Sequence, residues 1–374
     1  MAKLNFRDCI PWVFAPLLEA SKRPELASSL KLQPPSSADQ TDQFRRFRQL
    51  QRPSGGAIPL PNGGFFLLFK RAAQTCLAFS SYIDGIDLDP DLAVWLAENE
   101  ATIEDLDQAH FLYLAKFAYP YFSIRPNFKN KRRAQDIIEI AERKNYEGHN
   151  ADDLIDLYRP TFVVSLPLGS LLEDVDDYTL CSEIASLVSD LRSPIIDQEF
   201  ASQVHQLLAN NLISSESIYL VLSATSWRYA FMELFRILET TLHVPWMVDL
   251  MKDLEIDCNI LDLYRSLRSR LYWKEAKGFS VERIFRELNG DEKLLDIEKG
   301  ISAFRGIDFD NAEFCRSSIG RKIWKTRNQL VHPEDFTDGS RLQTSEDEFR
   351  SLSRYLVEII QRIFAKIPDG ALRN

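Results

Sequence analysis

The feature that most constrains the fold is a set of apolar side chains that returns at three- and four-residue steps in the C-terminal half. Leu220, Ala224, Trp227, Phe231, Leu234, Phe235, Leu238 and Leu242 keep this spacing. An α-helix turns once every ~3.6 residues, so they form one broad stripe that other helices must cover. The segment from Glu216 to Leu242 therefore reads as a core helix. Further helices are expected near Ile260 to Trp273, Ser280 to Leu288, Asn311 to Val331 and Ser345 to Lys366. Asn311 is placed to cap the fourth helix, and Ser345 with Glu348 makes a capping box at the start of the last, each bonding the other's backbone. The fold class is mainly α, with an antiparallel C-terminal helical bundle.

The N-terminal half is less regular. Residues 1–28 read as a short helix-forming segment. Ser28 to Gly64 reads as loop or linker because of Pro34-Pro35-Ser36-Ser37, Pro53-Ser54-Gly55-Gly56 and Pro59-Leu60-Pro61-Asn62-Gly63-Gly64. A brief helix carrying Arg45, Arg46, Arg48 and Arg52 presents either a solvated face or an RNA-touching arm. From Phe65 to Ala141 helical spacing is expected to give several helices, with Leu92, Trp95 and Leu96 on one and Phe111, Leu114, Phe117 and Ala118 on another. Asn130-Lys131-Arg132-Arg133 opens a further helix to Arg143, and Asn145 to Asn150 reads as a turn. Thr161 to Leu166 is the best strand candidate, bounded by Pro160 and Pro167. Three domains are expected: 1–64 as a segment with a loop-rich linker, 65–213 as a mostly helical domain with a few short strands, and 214–374 as the bundle.

With 374 residues and 45% hydrophobic side chains, the chain has the composition of a globular protein with a sizeable core. Its net charge of −10 excludes non-specific nucleic-acid binding over the whole surface, so any RNA site is local. The five cysteines are scattered without metal-ligand or disulfide spacing, which fits a reducing cytoplasm. Pro11 and Pro16 interrupt the only leader-like stretch, and Lys70-Arg71 ends the densest apolar run far short of the ~20 residues of a membrane span. No P-loop, dinucleotide fingerprint or nucleophile elbow is found, and the acidic run Glu173 to Asp177 lacks the glycine and distal glutamate of a calcium loop. Neither metal nor cofactor is expected.

The chemistry is expected at Arg327-Asn328-Gln329-Leu330-Val331-His332, the end of the Asn311 helix, followed by Pro333. Arginine carries a fixed positive charge and histidine a proton exchangeable near neutral pH, a pair suited to phosphodiester cleavage without a metal. Arginine followed by histidine at similar spacing also occurs as Arg143 to His149 and as Arg236 to His243, so the flanking helices and Asn328 set the third copy apart. Pro333 disfavours helical geometry at His332. On a regular helix Arg327 and His332 lie about 140° apart and Asn328 and His332 about 40° apart, so Asn328 is placed to orient the imidazole. The buried stripe of this helix is assigned to Cys315, Ile319, Ile323 and Val331, leaving Arg316, Arg321, Lys322 and Lys325 as an RNA-binding face. Arg236, Glu239 and His243 share a face of the first bundle helix, read as a surface ion-pair ladder or, for Glu239 or Arg236, as support beside the motif. Trp324 is read equally as core and as dimer contact.

In the form Arg-Asn-x-x-x-His, Arg327 to His332 resembles the motif of the HEPN superfamily, all-helical nucleases and nucleotide-binding proteins, over roughly Ser214 to Pro368. The resemblance implies a homodimer in which two motifs meet, and metal-independent cleavage in which the RNA 2′-hydroxyl attacks the adjacent phosphate. His332 is then general acid or base, and Arg327 stabilises the phosphate. It also implies an RNA endonuclease of the toxin-like or antiviral defence kind, whose 65–213 region senses or regulates and meets a regulatory protein partner. Some minimal HEPN toxins carry a tyrosine two residues after the histidine; Glu334 stands there, so that tyrosine's regulation does not carry over. The alternative is a non-catalytic HEPN-like module that binds RNA, a nucleotide or a protein.

Overall fold

The computed structural model describes residues 6–34, 38–80, 90–125, 128–172, 174–209, 213–256, 258–271, 277–288, 292–332 and 344–365. The chain is mainly α-helical with one small antiparallel sheet. It divides into two compact units, Met1–Pro194 and Ile195–Asn374.

The first unit is built on the sheet, with strands β1 (Ile58–Pro59), β2 (Phe65–Arg71), β3 (Gln74–Ser80), β4 (Thr102–Glu104) and β5 (Thr161–Ser165) in the order β1-β2-β3-β5-β4. Helices α1 (Ile10–Ser21), α2 (Ala38–Phe47), α3 (Pro90–Glu98), α4 (Gln108–Phe117), α5 (Phe128–Ile140), α6 (Ala151–Ile155) and α7 (Asp177–Leu187) surround it. The strand expected at Thr161 is found, as are helices around Leu92, Phe111 and Lys131. The expectation of helix from Phe65 onward is corrected: Phe65–Arg71 and Gln74–Ser80 form a hairpin, paired from Phe66↔Phe79 to Arg71↔Gln74. Phe65, Leu67, Phe69, Cys76 and Ala78 face a core shared with α1, α4 and α5, and Phe66, Leu77 and Phe79 are buried as well. A strand buried on both faces loses the alternation that identifies strands, which is why helical spacing was matched by accident. Ala72 turns the hairpin in the left-handed region, at φ 55°.

The stretch read as a linker is also a turn. Pro59 to Gly64 joins β1 to β2, Asn62 accepting the Gly64 N–H at 2.8 Å and Leu60 donating to the Gly64 carbonyl at 3.0 Å. A Cβ on Gly64 would stand 2.6 Å from the Ser80 carbonyl oxygen, so no larger residue fits. Residues before Gly64 therefore belong to the same unit as the strands, with Val13, Phe14, Leu17 and Phe47 in its core. The contact boundary falls after Pro194 instead of after Gly64 and Ile213.

The second unit contains α8 (Gln198–His205), α9 (Ser215–Leu222), α10 (Trp227–Thr241), α11 (Val244–Asp253), α12 (Ile260–Leu271), α13 (Lys277–Glu287), α14 (Glu292–Gly300), α15 (Ala312–Val331) and α16 (Glu346–Ala365). The helix expected from Glu216 to Leu242 is broken into α9 and α10. Ser226 caps α10 by accepting from the Tyr229 N–H, and the Glu346 carboxylate at the start of α16 accepts from the Trp227 N–H at 2.9 Å. This distant acceptor satisfies a helix-start donor and lets the chain reset its path. Both expected caps are present: Asn311 accepts from Phe314 N–H at 3.2 Å, and Ser345 and Glu348 exchange bonds of 2.9 and 3.2 Å. α10 packs on α16, with the Phe231 and Phe349 rings 5.5 Å apart, and α13 packs on α15. The second contact is close, since a Cβ on Gly320 would lie 3.1 Å from Glu282 Cα.

Candidate functional site

The motif ends α15. The helix is regular through Val331, and His332 leaves it at φ −128°, ψ 64°, its N–H still bonded to the Asn328 carbonyl at 2.8 Å. His332 is exposed, as expected for a residue at the helix end. Pro333, Glu334 and Asp335 lie outside the described residues. Val331, assigned to the buried stripe, is 40% exposed instead, while Cys315, Ile319 and Ile323 are fully buried. The stripe turns away from the helix end because the ~100° step per residue carries position 331 off the line of 315, 319 and 323.

Arg327 is enclosed by α10. Its Nη2 lies 3.3 Å from Glu239 Oε1, its Nη1 donates to Asn328 Oδ1 at 3.1 Å, and its guanidinium carbon stands 5.7 Å from the Phe235 ring centre and 5.4 Å from that of Trp324. The side chains of Arg327 and Glu239 are 18% and 16% exposed, so the pair is shielded but within reach of solvent. Its Nε–H is enclosed without a hydrogen-bond partner among the described residues. Asn328, expected to orient the imidazole, turns its side-chain oxygen to Arg327. Trp324 is half-buried with its ring 5.9 Å from that of Phe235.

The other expected residues separate. Arg236 is exposed and paired with Glu233 at 2.8 Å, one turn earlier on its own helix. His243 is buried and stacked on Tyr264 at 3.8 Å. The shared face of Arg236, Glu239 and His243 therefore does not act as one, since α10 ends at Thr241 and His243 belongs to the turn into α11. Of the four basic residues expected to meet RNA, Lys322 and Lys325 are exposed. Arg321 is exposed but held by two bonds to Glu282, at 3.0 and 3.1 Å, and this pairing keeps the Glu282 carboxyl below its ordinary value. Arg316 is corrected: it is buried, with Nε 3.2 Å from Glu298 Oε2 and a bond to the Leu288 carbonyl.

Two buried polar groups were not read from the sequence. In the second unit Glu298 accepts from the Tyr355 hydroxyl at 2.5 Å and faces Arg316. Burial pushes the Glu298 carboxyl up, against the opposing pull of Tyr355 and Arg316, and burial likewise raises Tyr355. In the first unit Arg71 bridges both oxygens of Glu104 at 2.5 and 2.6 Å, Ser165 donates to Glu104, and His110 Nδ1 lies 3.1 Å from Asp107. Burial raises Glu104, but the bonds from Arg71 and Ser165 outweigh it and hold the carboxyl low. Both clusters join residues far apart in sequence, so no spacing announces them. No group of three or more metal-ligating side chains occurs among the described residues, nor is any described helix long and apolar enough to cross a membrane.

No protein-family model, curated protein or solved structure matches the chain.

Proposed function

We propose that the protein is a metal-independent RNA endonuclease of HEPN type, acting in the cytoplasm as a toxin-like or antiviral defence effector. The observation that carries the reading is the end of α15, where Arg327 is held by Glu239 and Asn328 while His332 stands exposed just past the last helical turn. In the reaction the RNA 2′-oxygen forms a bond to the adjacent phosphorus as the bond to the 5′-oxygen breaks. The 2′-hydroxyl proton passes to a base and the leaving oxygen gains one, giving a 2′,3′-cyclic phosphate and a 5′-hydroxyl. His332 serves one of these proton transfers, and Arg327 offsets the charge that builds on the phosphate. The exposed Lys322 and Lys325 supply backbone contacts.

A homodimer through the second unit completes the site, because Arg327 and His332 diverge on one helix and a two-fold axis brings a second pair without new sequence. The first unit is assigned the regulatory or sensing role, where a protein partner is expected to act. A second reading is favoured by the ion pair itself: an arginine occupied by Glu239 also suits a non-catalytic HEPN-like bundle that binds RNA, a nucleotide or a protein.

The deciding experiment incubates the purified chain with total RNA in EDTA and maps the ends. Fragments with 2′,3′-cyclic phosphate and 5′-hydroxyl termini support the nuclease, and intact RNA supports the second reading. Light scattering on the same preparation is expected to give a dimer mass, and a monomer that still cuts RNA at nanomolar concentration removes the composite site.

A further inference from the structure

We propose that Glu239 is a displaceable latch on Arg327, which keeps the arginine neutralised until an RNA phosphate takes its place. The inference deepens the nuclease reading and rests on Arg327 being the group that meets phosphate.

Three features of the pair lead to it. The Arg327–Glu239 contact is a single bond of 3.3 Å, although a guanidinium meets a carboxylate best with two parallel bonds. Six residues earlier on the same helix the contrast is visible: Arg321 meets Glu282 through two bonds, at 3.0 and 3.1 Å. The Nε–H of Arg327 is enclosed without a partner, and an enclosed donor left unbonded is unfavourable. Finally, both side chains are about one-sixth exposed, so the pair is open to exchange in a way that a fully buried pair is not.

The closed arrangement is therefore incomplete. While Glu239 remains, the pair has almost no net charge and attracts phosphate weakly, in a chain whose net charge is already −10. A phosphate that offers two oxygens can meet two N–H groups at the accessible end of the guanidinium, where the latch makes one bond. The rings of Phe235 and Trp324 keep the guanidinium in place during the exchange, as cation–π contacts at 5.7 and 5.4 Å. The latch makes the site selective for RNA already held nearby through other phosphates, for which the exposed Lys322 and Lys325 are available.

The test measures binding of a fluorescein-labelled single-stranded RNA by the full chain in EDTA, in a His332→Ala background so that nothing is cut. Glu239→Gln keeps the size and one acceptor oxygen while removing the charge, and should tighten binding about fivefold, the upper range for a solvent-accessible ion pair. Glu239→Asp, which keeps the charge on a shorter arm, should tighten it less. Arg327→Ala should weaken binding, and Glu239→Gln combined with Arg327→Ala should bind no better than Arg327→Ala alone. If Arg327→Ala weakens binding but Glu239→Gln leaves it unchanged or weaker, the latch is wrong and Arg327 keeps its place on the phosphate. If neither changes binding, Arg327 does not meet RNA, and both the latch and the role given to Arg327 fall. Thermal unfolding of each variant excludes loss of fold as the cause.

Discussion

Arg316 and Arg327 occupy one helix about three turns apart, and each faces a glutamate from a neighbouring helix. Their settings differ. Arg316 and Glu298 are 4% and 0% exposed and are joined by Tyr355 and the Leu288 carbonyl, so α13, α14, α15 and α16 meet in one closed network. Arg327 and Glu239 are each about one-sixth exposed, and their contact is single. The same pair of residue types is architecture where water is excluded and a candidate working site where it is not. Removing one partner from a buried pair strands a charge, whereas an accessible pair can be exchanged at little expense.

The largest expected effect is on the buried side. Arg316→Ala should cost about 3–5 kcal/mol of stability, because Glu298 loses its counter-charge in the core. Urea unfolding checks it, and a loss under about 1 kcal/mol would show that the two settings are not different in kind. On the accessible side the effect should be on rate. His332→Ala and Arg327→Ala are each expected to lower RNA cleavage by about 10²–10⁴-fold while the unfolding midpoint hardly moves. Cleavage within a few fold of the wild type in both variants would take the motif out of the mechanism.

The smallest effect sharpens the comparison through pH. Burial raises Glu298, so it holds its proton more readily folded than unfolded. Its contribution to stability is complete below the ordinary glutamate value of about 4.3 and is lost as pH rises through the raised value. Glu282 is lowered by Arg321 and behaves in the opposite sense: its contribution is present above that ordinary value and is lost as pH falls through the lowered one. Relative to wild type, Glu298→Gln should therefore compare better at about pH 7 than at about pH 4, and Glu282→Gln should compare worse. Matching trends in the two variants would contradict the assignment of one pair to the core and the other to the surface.

How much could be read from the sequence followed the range of each signal. Asn311 and the Ser345–Glu348 box act within one turn and were placed correctly, and so was the strand between Pro160 and Pro167. The Phe65–Ser80 hairpin was missed because coverage of both faces erased its alternation, and Pro59 to Gly64 looked like a linker because tight turns use the same residues. At the candidate site the helix end and exposed His332 were legible. Arg316's burial was not, since Glu298 reaches it from another helix. Glu239 is legible from its place on the first bundle helix, while the Phe235 ring reaches Arg327 from another helix, at a distance that no local spacing encodes.

The bond from the Trp227 N–H to Glu346 has a consequence for the order of synthesis, since 119 residues separate its two ends. As the chain leaves the ribosome, α10 emerges with Glu239 long before α16 exists to cover its apolar stripe and cap its first turn. The face of α10 that packs on α16 therefore stays uncovered on a nascent chain still missing α16. Any activity that needs the folded second unit then waits until the residues after Glu346 have been made.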